Sequence, residues 1–190
     1  MRDIKPVPAR PSIDIPILET ARLRLRACKL DDLGPLSAAW SDPAATRYIG
    51  AQTRSRADIW KQMQQSIGGW ALLGYGYWTI ADKKTDHPIG QIGFLEGLRP
   101  ITPSFVGKPE AGWFIARNHW GRGIASEALS AALDWVDANI PISSTVCIIE
   151  ADHAVSIHIA EKFGYRFAET GQLPDGPISI YERPRGGLPE

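Results

Sequence analysis

The chain has 190 residues, enough for one domain with a sizeable apolar core. Apolar residues make up 44% of it and charged residues 22%, which are ordinary values for a folded domain and exclude wholesale disorder. The 21 basic and 21 acidic side chains cancel, so no general affinity for nucleic acid or for an anionic membrane is expected.

The first third of the chain predicts an arm, a strand and two helices. Residues 1–15 contain three prolines and are predicted to form an extended arm. Arg22–Ala27 alternates arginine with leucine, which is typical of a strand with one solvated face. A short helix follows, capped by Asp31 or Asp32, and apolar residues at helical spacing predict a second helix from about Arg56 to Trp70.

The later segments predict six further strands and two helices. In chain order these are strands at 76–83, 87–98 and 110–117, a helix to Asn139, a strand at 144–151, a helix at His153–Phe163, and strands at 165–170 and 177–183. Three consecutive strands indicate an antiparallel meander, and the strand–helix–strand unit indicates one right-handed parallel crossover. The expected fold class is therefore α+β, a mixed and mostly antiparallel sheet flanked by helices. We expect a single domain at 16–183 and a loose tail at 184–190.

Cysteine content and hydropathy predict a compartment. Cys28 and Cys147 are too few for a disulfide framework, and Cys147 lies in the apolar run TVCIIE, so both are predicted to be thiols. No apolar run approaches the length of a membrane span, and the start MRDIKPVPARPS lacks the apolar core of a signal peptide. We therefore expect a cytoplasmic protein that does not bind membranes.

The stretch NHWGRGIASEAL places two glycines around an arginine directly before a predicted helix. One interpretation is turn chemistry alone, since glycine relieves the backbone where a strand joins a helix. The other is phosphate binding, because the free amides and the dipole at a helix N-terminus favour anions. Side chains missing at Gly121 and Gly123 would let a ligand reach the backbone, and Arg122 would add positive charge. Two glycines around a cation favour the phosphate interpretation.

The same stretch partly matches a dinucleotide-binding fingerprint. Ser126 stands where the third glycine belongs, and Glu150, at the end of the next predicted strand, is suitably spaced to hold a ribose. However, the unit follows a meander, and no further strand–helix alternation completes a doubly wound sheet. A nicotinamide-dependent oxidoreductase is therefore a less favoured alternative.

The loop WGRGIA resembles the acyl-CoA-binding loop of the GNAT N-acetyltransferases, whose pattern is Gln/Arg-x-x-Gly-x-Gly/Ala. Gly123 and Ala125 match its last two fixed positions. Trp120 replaces the Gln or Arg, as in the branch that resembles the ribosomal-protein N-terminal acetyltransferases (Rim type). Four collinear blocks extend the resemblance over nearly the whole chain: LETARLRLRACKLDDLGPLSAAWSDP, YWTIADKKTDHPIGQIGF, EAGWFIARNHWGRGIASEAL and HAVSIHIAEKFGY.

The resemblance implies acetyl-CoA as a co-substrate and a set of residues that hold it. The diphosphate is expected on the backbone of Gly121, Arg122, Gly123, Ile124, Ala125 and Ser126. The pantetheine arm is expected along the stretch WFIAR, which comprises Trp113, Phe114, Ile115, Ala116 and Arg117, and an amide near Ile115 would donate to the developing oxyanion. His153 stands where the branch has Asn and is expected to contact CoA or to cap its helix. No cluster of His, Cys or Asp has metal-ligand spacing, so no metal is expected.

Catalytic candidates also follow from the resemblance. Glu110 is the first choice as general base because family members often carry an acid where this strand begins, and Glu96 is the second. The alternative for each is a solvated carboxylate at a strand end. Ala160 stands in the place of the tyrosine acid of many family members. Ser156 matches the serine of the branch, expected to hydrogen-bond the CoA sulfur, unless it only bonds within its own helix.

The implied reaction is acetyl transfer from acetyl-CoA to a primary amine by direct attack. The acceptor is left open between a peptide N-terminus and a small molecule. A non-catalytic CoA-binding sensor is the main alternative, because the helix tyrosine is absent and His153 departs from the branch. The N-terminal arm could serve a homodimer. For Tyr75 and Tyr77, packing is preferred over lining an acceptor pocket.

Overall fold

In the computed structural model, which describes residues 13–187, eight strands and five α-helices follow one another in the described part of the chain. The strands are β1 (Leu18–Glu19), β2 (Leu23–Arg26), β3 (Tyr77–Asp82), β4 (Pro88–Leu95), β5 (Glu110–Ile115), β6 (Ser144–Ile149), β7 (Arg166–Leu173) and β8 (Gly176–Pro184). The helices are α1 (Leu33–Trp40), α2 (Pro43–Thr46), α3 (Arg56–Leu73), α4 (Ile124–Asn139) and α5 (Ala154–Lys162).

All eight strands join one sheet in the order β1-β2-β3-β4-β5-β6-β8-β7. Every neighbouring pair is antiparallel except β5 and β6, which are parallel and connected by α4. This arrangement confirms the predicted α+β class with one parallel crossover. β5 ends two residues earlier than predicted, at Ile115, because residues 117–119 turn into a short 3-10 helix.

Helices cover the two faces of the sheet with separate apolar contacts. On one face, buried residues of β2 to β6 pack against α4, whose inward positions include Ala128, Leu129, Leu133 and Val136. On the other face, α1 and α3 pack over β5, where Trp40 stacks on Phe114 with ring centroids 3.9 Å apart. The second face is incompletely covered beyond Phe114, and the open part forms the cleft described below.

The ends of the chain differ from the expected arm and loose tail. Residues 1–12 and 188–190 lie outside the described residues, but Ile15 packs into the main core, and the carbonyl of Pro16 accepts a hydrogen bond from Trp78 Nε1 at 2.8 Å. At the other end, β8 includes Pro184, and the guanidinium of Arg185 donates to the carbonyl of Asp137 at 2.6 Å. The tail is therefore held to α4 as far as residue 187, contrary to the prediction.

A buried ion cluster fixes the start of α1 to the sheet. Arg26 is 4% exposed and forms a two-point ion pair with Asp32, itself 2% exposed, at 2.7 and 2.9 Å. The same guanidinium reaches Asp86 in the β3–β4 turn at 2.9 Å. Lys29 and Arg26 lower the pKa of the Asp86 carboxyl to about 2. Asp32 precedes α1 without capping it, because its carboxylate is committed to Arg26 and to the amide of Lys29.

We predict that Asp32→Ala lowers the free energy of unfolding by about 3–5 kcal/mol, because it leaves the buried Arg26 charge without its main partner. Chemical denaturation at neutral pH measures the loss. Glu19→Ala is the matched control, since Glu19 is half exposed and its pairing with Arg24 lies in solvent. The midpoint of this variant should stay near that of the wild type. Equal midpoints for the two variants would show that the buried cluster contributes no more than a surface pair.

Candidate functional site

The two parallel strands in the middle of the sheet separate after one point of pairing. Glu110 of β5 pairs with Val146 of β6, and Val146 N donates to the carbonyl of Pro109 at 3.0 Å. Beyond that point β5 bonds only to β4, with Ala116 N donating to the carbonyl of Ile89 at 2.9 Å. Because backbone direction alternates along a strand, odd-numbered residues of β5 turn their polar groups toward β6 and even-numbered residues toward β4.

This alternation leaves a row of backbone groups at the opening without a strand partner. They are the amide and carbonyl of Trp113 and the amide of Ile115, while the carbonyl of Ile115 accepts a hydrogen bond from Trp120 Nε1 at 2.7 Å. An unpaired strand edge can bond an extended ligand as it would bond another strand. The resemblance includes Trp113 in the stretch WFIAR expected along the pantetheine arm, and the two-residue period of β5, counted from its pairing with β6, identifies its amide as a free donor.

The other residues predicted beside Ile115 have different roles in the structure. Phe114 turns its backbone to β4 and its ring to Trp40, and the amide of Ala116 is bonded to β4. Arg117 starts the 3-10 turn, with a largely exposed side chain and a long contact of 3.7 Å to Asp42. Among these four predicted residues, Ile115 alone presents a free backbone donor toward the opening.

The glycine loop ends in a row of backbone amides at the start of α4. Gly121 and Gly123 have φ of 68° and 72°, in the left-handed region that favours glycine. No protein acceptor among residues 13–187 is bonded to the amides of 121–126. A Cβ at Gly121 would meet nothing within 4 Å, and one at Gly123 would point toward Arg22 Nη2 at 3.6 Å. The loop therefore has the open surface and free donors that a diphosphate needs.

Arginines surround this row of amides. Arg22 donates to the carbonyl of Arg122 at 2.8 Å and pairs with Glu127 in the first turn of α4 at 2.6 Å. Arg122 itself is exposed and approaches His119 at 3.3 Å. Burial and the nearby Arg122 charge lower the pKa of His119. Ile124 turns its side chain into the core, so it can contribute only its backbone, and Ala125 and Ser126 are half-buried.

A cleft of about 700 Å³ continues from the opening between β5 and β6 over the face that carries α1 and α3. Its floor is the sheet, where Gln91 accepts a hydrogen bond from Trp40 Nε1 at 2.9 Å. Its walls come from the segment after α2, the loop between β6 and α5, and the β7–β8 turn. The lining residues include Tyr48, Gly50, Arg54, Tyr77, Gln91, Arg99, Glu110, Gly112, Phe114, Cys147, Glu150, Asp152, His153, Ser156, Asp175 and Ile178.

His153 and Ser156 lie together on one wall of this cleft. Ser156 Oγ is 3.2 Å from His153 Nε2, and the imidazole stacks on the Tyr48 ring with centroids 4.3 Å apart. His153 occupies the N-cap position of α5 but forms no capping bond with its side chain. Burial lowers the pKa of His153, so the imidazole is neutral at neutral pH. The hydroxyl of Ser156 therefore contacts the side chain at the N-cap of its own helix.

The two carboxylates predicted as bases are both engaged by other groups. Glu110 lines the cleft but is 5% exposed, and Arg99 grips both of its oxygens at 2.6 and 2.8 Å. Glu96 lies in the loop after β4 outside the cleft lining, where it accepts a hydrogen bond from Gly107 N at 2.9 Å. The alternative of a solvated carboxylate at a strand end is therefore wrong for Glu110, and its role as a general base stays a prediction.

Two further cleft residues were not chosen from the sequence. Cys147 is buried, and burial followed by the charge of Glu110 raises the pKa of its thiol. Tyr77, for which packing was the preferred interpretation, lines the cleft with its hydroxyl on the β5 side. Among residues 13–187 no group of three or more potential metal ligands clusters, and none of the described helices is long and apolar enough to cross a membrane.

The chain is similar to known proteins over most of its length. It is 31% identical over 172 residues to p20 of Bacillus licheniformis, an uncharacterised N-acetyltransferase, with 90% of each chain covered. A GNAT-family acetyltransferase from Bordetella pertussis matches with a TM-score of 0.77 at 25% identity, covering 89% of this chain and 99% of that one. The Salmonella typhimurium acetyltransferase that modifies the N-terminal serine of ribosomal protein L7/L12 shares the fold at 16% identity, with a TM-score of 0.71 and coverage of 89% and 99%.

The family model for the acetyltransferase (GNAT) domain matches residues 22–166, which include the strand opening, the glycine loop and most of the cleft. The resemblance noted in the sequence is thereby confirmed. The chain belongs to the GNAT acetyltransferase family and is an acetyl-CoA-dependent N-acetyltransferase.

Proposed function

We propose that the protein transfers the acetyl group of acetyl-CoA to a primary amine, a peptide N-terminus or a small molecule, by direct attack. One observation carries the proposal. The unpaired backbone of β5 lies between the free amides at the start of α4 and the cleft, so a single extended ligand can contact both. We expect the reaction to take place in the cytoplasm. We also predict that the protein can form a homodimer.

The residues that would hold the coenzyme follow from these groups. The amides of 121–126 would bind the diphosphate, with positive charge from Arg122 and Arg22. The carbonyl of Trp113 and the amide of Ile115 would pair with the amide groups of the pantetheine arm, as one strand pairs with another. The amide of Trp113 would be left to face the acetyl end of the ligand. When bound, acetyl-CoA supplies a thioester, an acyl group activated toward amines. The chain itself supplies placement and proton transfer.

The acceptor amine must reach the cleft as a cation and react in its neutral form, since an α-amine has a pKa of about 8. Glu150, Asp152 and Asp175 line the cleft, and none of them forms an ion pair with residues 13–187. These carboxylates favour the approach of an ammonium group, while Arg54 lines the opposite side.

The ammonium group loses its first proton to solvent, and we assign to His153 the removal of the second proton, which the nitrogen releases as it bonds to the carbonyl carbon. The imidazole of His153 lines the cleft and is neutral, and Ser156 Oγ, 3.2 Å away, can pass a proton or hold the ring in place. Glu110 is the less favoured base because Arg99 already binds both of its oxygens. Ser156 keeps its predicted second role as a donor to the CoA sulfur.

Direct attack is favoured over a covalent acetyl-enzyme. Cys147 is the cysteine that lines the cleft, and its raised pKa keeps it as a thiol, whereas the thiolate is the nucleophilic form. The thioester is already activated, so a neutral amine needs no enzyme nucleophile.

We predict acetyl-CoA-dependent acetylation of at least some amines in a panel of N-terminal peptides and small amines. Mass spectrometry of the acceptors, together with release of the CoA thiol, measures the reaction. Tight CoA binding without thiol release across the panel would instead favour the sensor alternative. A thermal shift with NAD or NADP, and none with CoA, would favour the oxidoreductase.

We predict that Gly123→Ala weakens CoA binding at least tenfold, because the new Cβ adds bulk to the open loop beside Arg22 and strains a left-handed residue. Isothermal titration with CoA measures the affinity. Gly74→Ala is the matched control. Gly74 ends α3 with φ of 75° and open space around its Cβ position, so the backbone strain is the same but the loop is untouched. Equal CoA affinity in the two variants would count against the diphosphate site.

We predict that His153→Asn lowers kcat/KM by about 100-fold or more, the usual contribution of a general base. In the wild type, log kcat/KM for an α-amine should rise with a slope of two below the His153 pKa, with a slope of one between it and the amine pKa of about 8, and level off above that. The His153 pKa lies below the ordinary value of about 6.5, because burial disfavours the imidazolium. The variant should show a slope of one at every pH below the amine pKa and the same plateau above it.

The control for His153 is His158→Asn on the same helix, where the side chain is exposed and outside the cleft lining. Its rate and pH profile should match the wild type. If His153→Asn kept the slope of two, the proton would be taken by another group, and Glu110→Gln would be the next variant to measure.

A further inference from the structure

A tyrosine and two glycines stand side by side on the cleft face of three neighbouring strands. Tyr77 of β3 pairs with Gly93 of β4, and Gly93 pairs with Gly112 of β5. Residues paired in this way have their side-chain positions on the same face of the sheet. Gly112 therefore leaves space on the face where Tyr77 has its ring.

The phenol uses this space to reach from β3 to β5. A Cβ at Gly112 would lie 2.0 Å from the Tyr77 hydroxyl oxygen and 3.2 Å from Cζ. A Cβ at Gly93 would lie 2.5 Å from Tyr77 Cα and 2.2 Å from the carbonyl oxygen of Gly76. No side chain fits at either position without movement. Gly93 lets the backbone of Gly76 and Tyr77 approach β4 closely, and Gly112 leaves the space in which the Tyr77 hydroxyl rests on β5.

The hydroxyl has no protein partner at this place. It lines the cleft, and the structure shows no hydrogen bond from it to any of residues 13–187. Burial and the charge of Glu110 raise the pKa of Tyr77, with Arg99 acting in the opposite direction. The group therefore stays protonated and is an available neutral donor that faces the cleft.

Its position coincides with the point where β5 and β6 separate. Glu110 is the last residue of β5 that pairs with β6, and the amide of Trp113 is the first that turns to β6 without a partner beyond that pairing. The hydroxyl lies against Gly112, the residue directly before Trp113. A carbonyl oxygen bound by the Trp113 amide would thus have the phenol beside it, approaching from the cleft face.

We propose that Tyr77 is a catalytic residue whose hydroxyl donates a hydrogen bond to the acetyl carbonyl oxygen, as a second donor beside the Trp113 amide. This inference rests on the proposed function. As the amine nitrogen bonds to the carbonyl carbon, the π electrons of the carbonyl move onto its oxygen. When the carbonyl re-forms, the carbon–sulfur bond breaks, its electron pair leaves with the sulfur, and the nitrogen loses its proton to the base. Tyr77 keeps its own proton throughout.

The first test is Tyr77→Phe, which removes the hydroxyl and keeps the ring. We expect kcat to fall on the order of 100-fold, as for loss of one donor to a developing oxyanion, with little change in the KM for acetyl-CoA. The second readout needs no acceptor and no turnover. The infrared stretch of a ¹³C-labelled acetyl carbonyl should move to lower frequency on binding to the wild type, and less on binding to Tyr77→Phe.

Gly112→Ala provides an independent approach to the same hydroxyl. Its methyl group would occupy the position of the phenol oxygen and displace it, so kcat should fall as in Tyr77→Phe. In the Tyr77→Phe background the atom nearest to the new methyl group is Cζ of the ring, at 3.2 Å. Adding Gly112→Ala to Tyr77→Phe should therefore lower kcat only a little further. Tyr75→Phe is the control, because Tyr75 is buried two residues away and does not line the cleft.

The outcomes separate this inference from the proposed function. A wild-type enzyme that acetylates amines, with Tyr77→Phe equal to it in kcat and in the carbonyl stretch, would overturn the role of Tyr77 alone. Absence of any turnover would oppose the proposed function, and the carbonyl stretch would still decide whether the hydroxyl touches the acetyl oxygen. If the losses in kcat of the two single variants added up in the double variant, the inference would also be contradicted, since Gly112→Ala would then lower kcat by something other than displacing the Tyr77 hydroxyl.

Discussion

The separation of β5 from β6 is the constraint on which the rest of the structure depends. Each of these strands is fully paired on its outer side, β5 with β4 over six residues and β6 with β8 over six residues. The two hold together only at Glu110 and Val146. Buried backbone donors without partners are costly, so a gap of this kind persists where a ligand or water completes the bonding. The opening is thus both an irregularity of the sheet and its binding surface.

The surrounding contacts keep the opening in a usable shape. At its far end the indole Nε1 of Trp120 donates a hydrogen bond to the carbonyl of Ile115, which marks the point where the free strand edge ends and the glycine loop begins. Glu127, in the first turn of α4, binds Thr20 and Arg22 of the β1–β2 turn and so fixes the helix end against the sheet. Arg99 and Glu110 close the inner end with a two-point ion pair. These contacts hold both ends of the site before any ligand arrives, which lowers the ordering cost of binding.

The sequence predicted the fold and the glycine loop because both depend on local patterns. Helical spacing of apolar residues located α3 and α4, and glycines before a helix indicated left-handed backbone at Gly121 and Gly123. The cleft chemistry depends on contacts between distant segments, which no local pattern reports. Arg99 reaches Glu110 from the preceding loop, and Tyr77 reaches Gly112 across an intervening strand. A carboxylate at a strand end therefore looked like a free base, and a tyrosine beside glycines looked like packing.

Burial keeps three of the titratable groups that line the cleft in their neutral forms. It raises the pKa of Cys147 and of Tyr77 and lowers that of His153, so all three are driven to their neutral forms near pH 7. Neutral imidazole accepts a proton and neutral phenol donates a hydrogen bond, whereas a neutral thiol is a poor nucleophile. A reaction between a neutral amine and a neutral thioester, in which charge develops only in the transition state and the tetrahedral intermediate, fits such an environment. The cleft therefore suits direct acyl transfer better than any route that needs an ionised nucleophile of the enzyme.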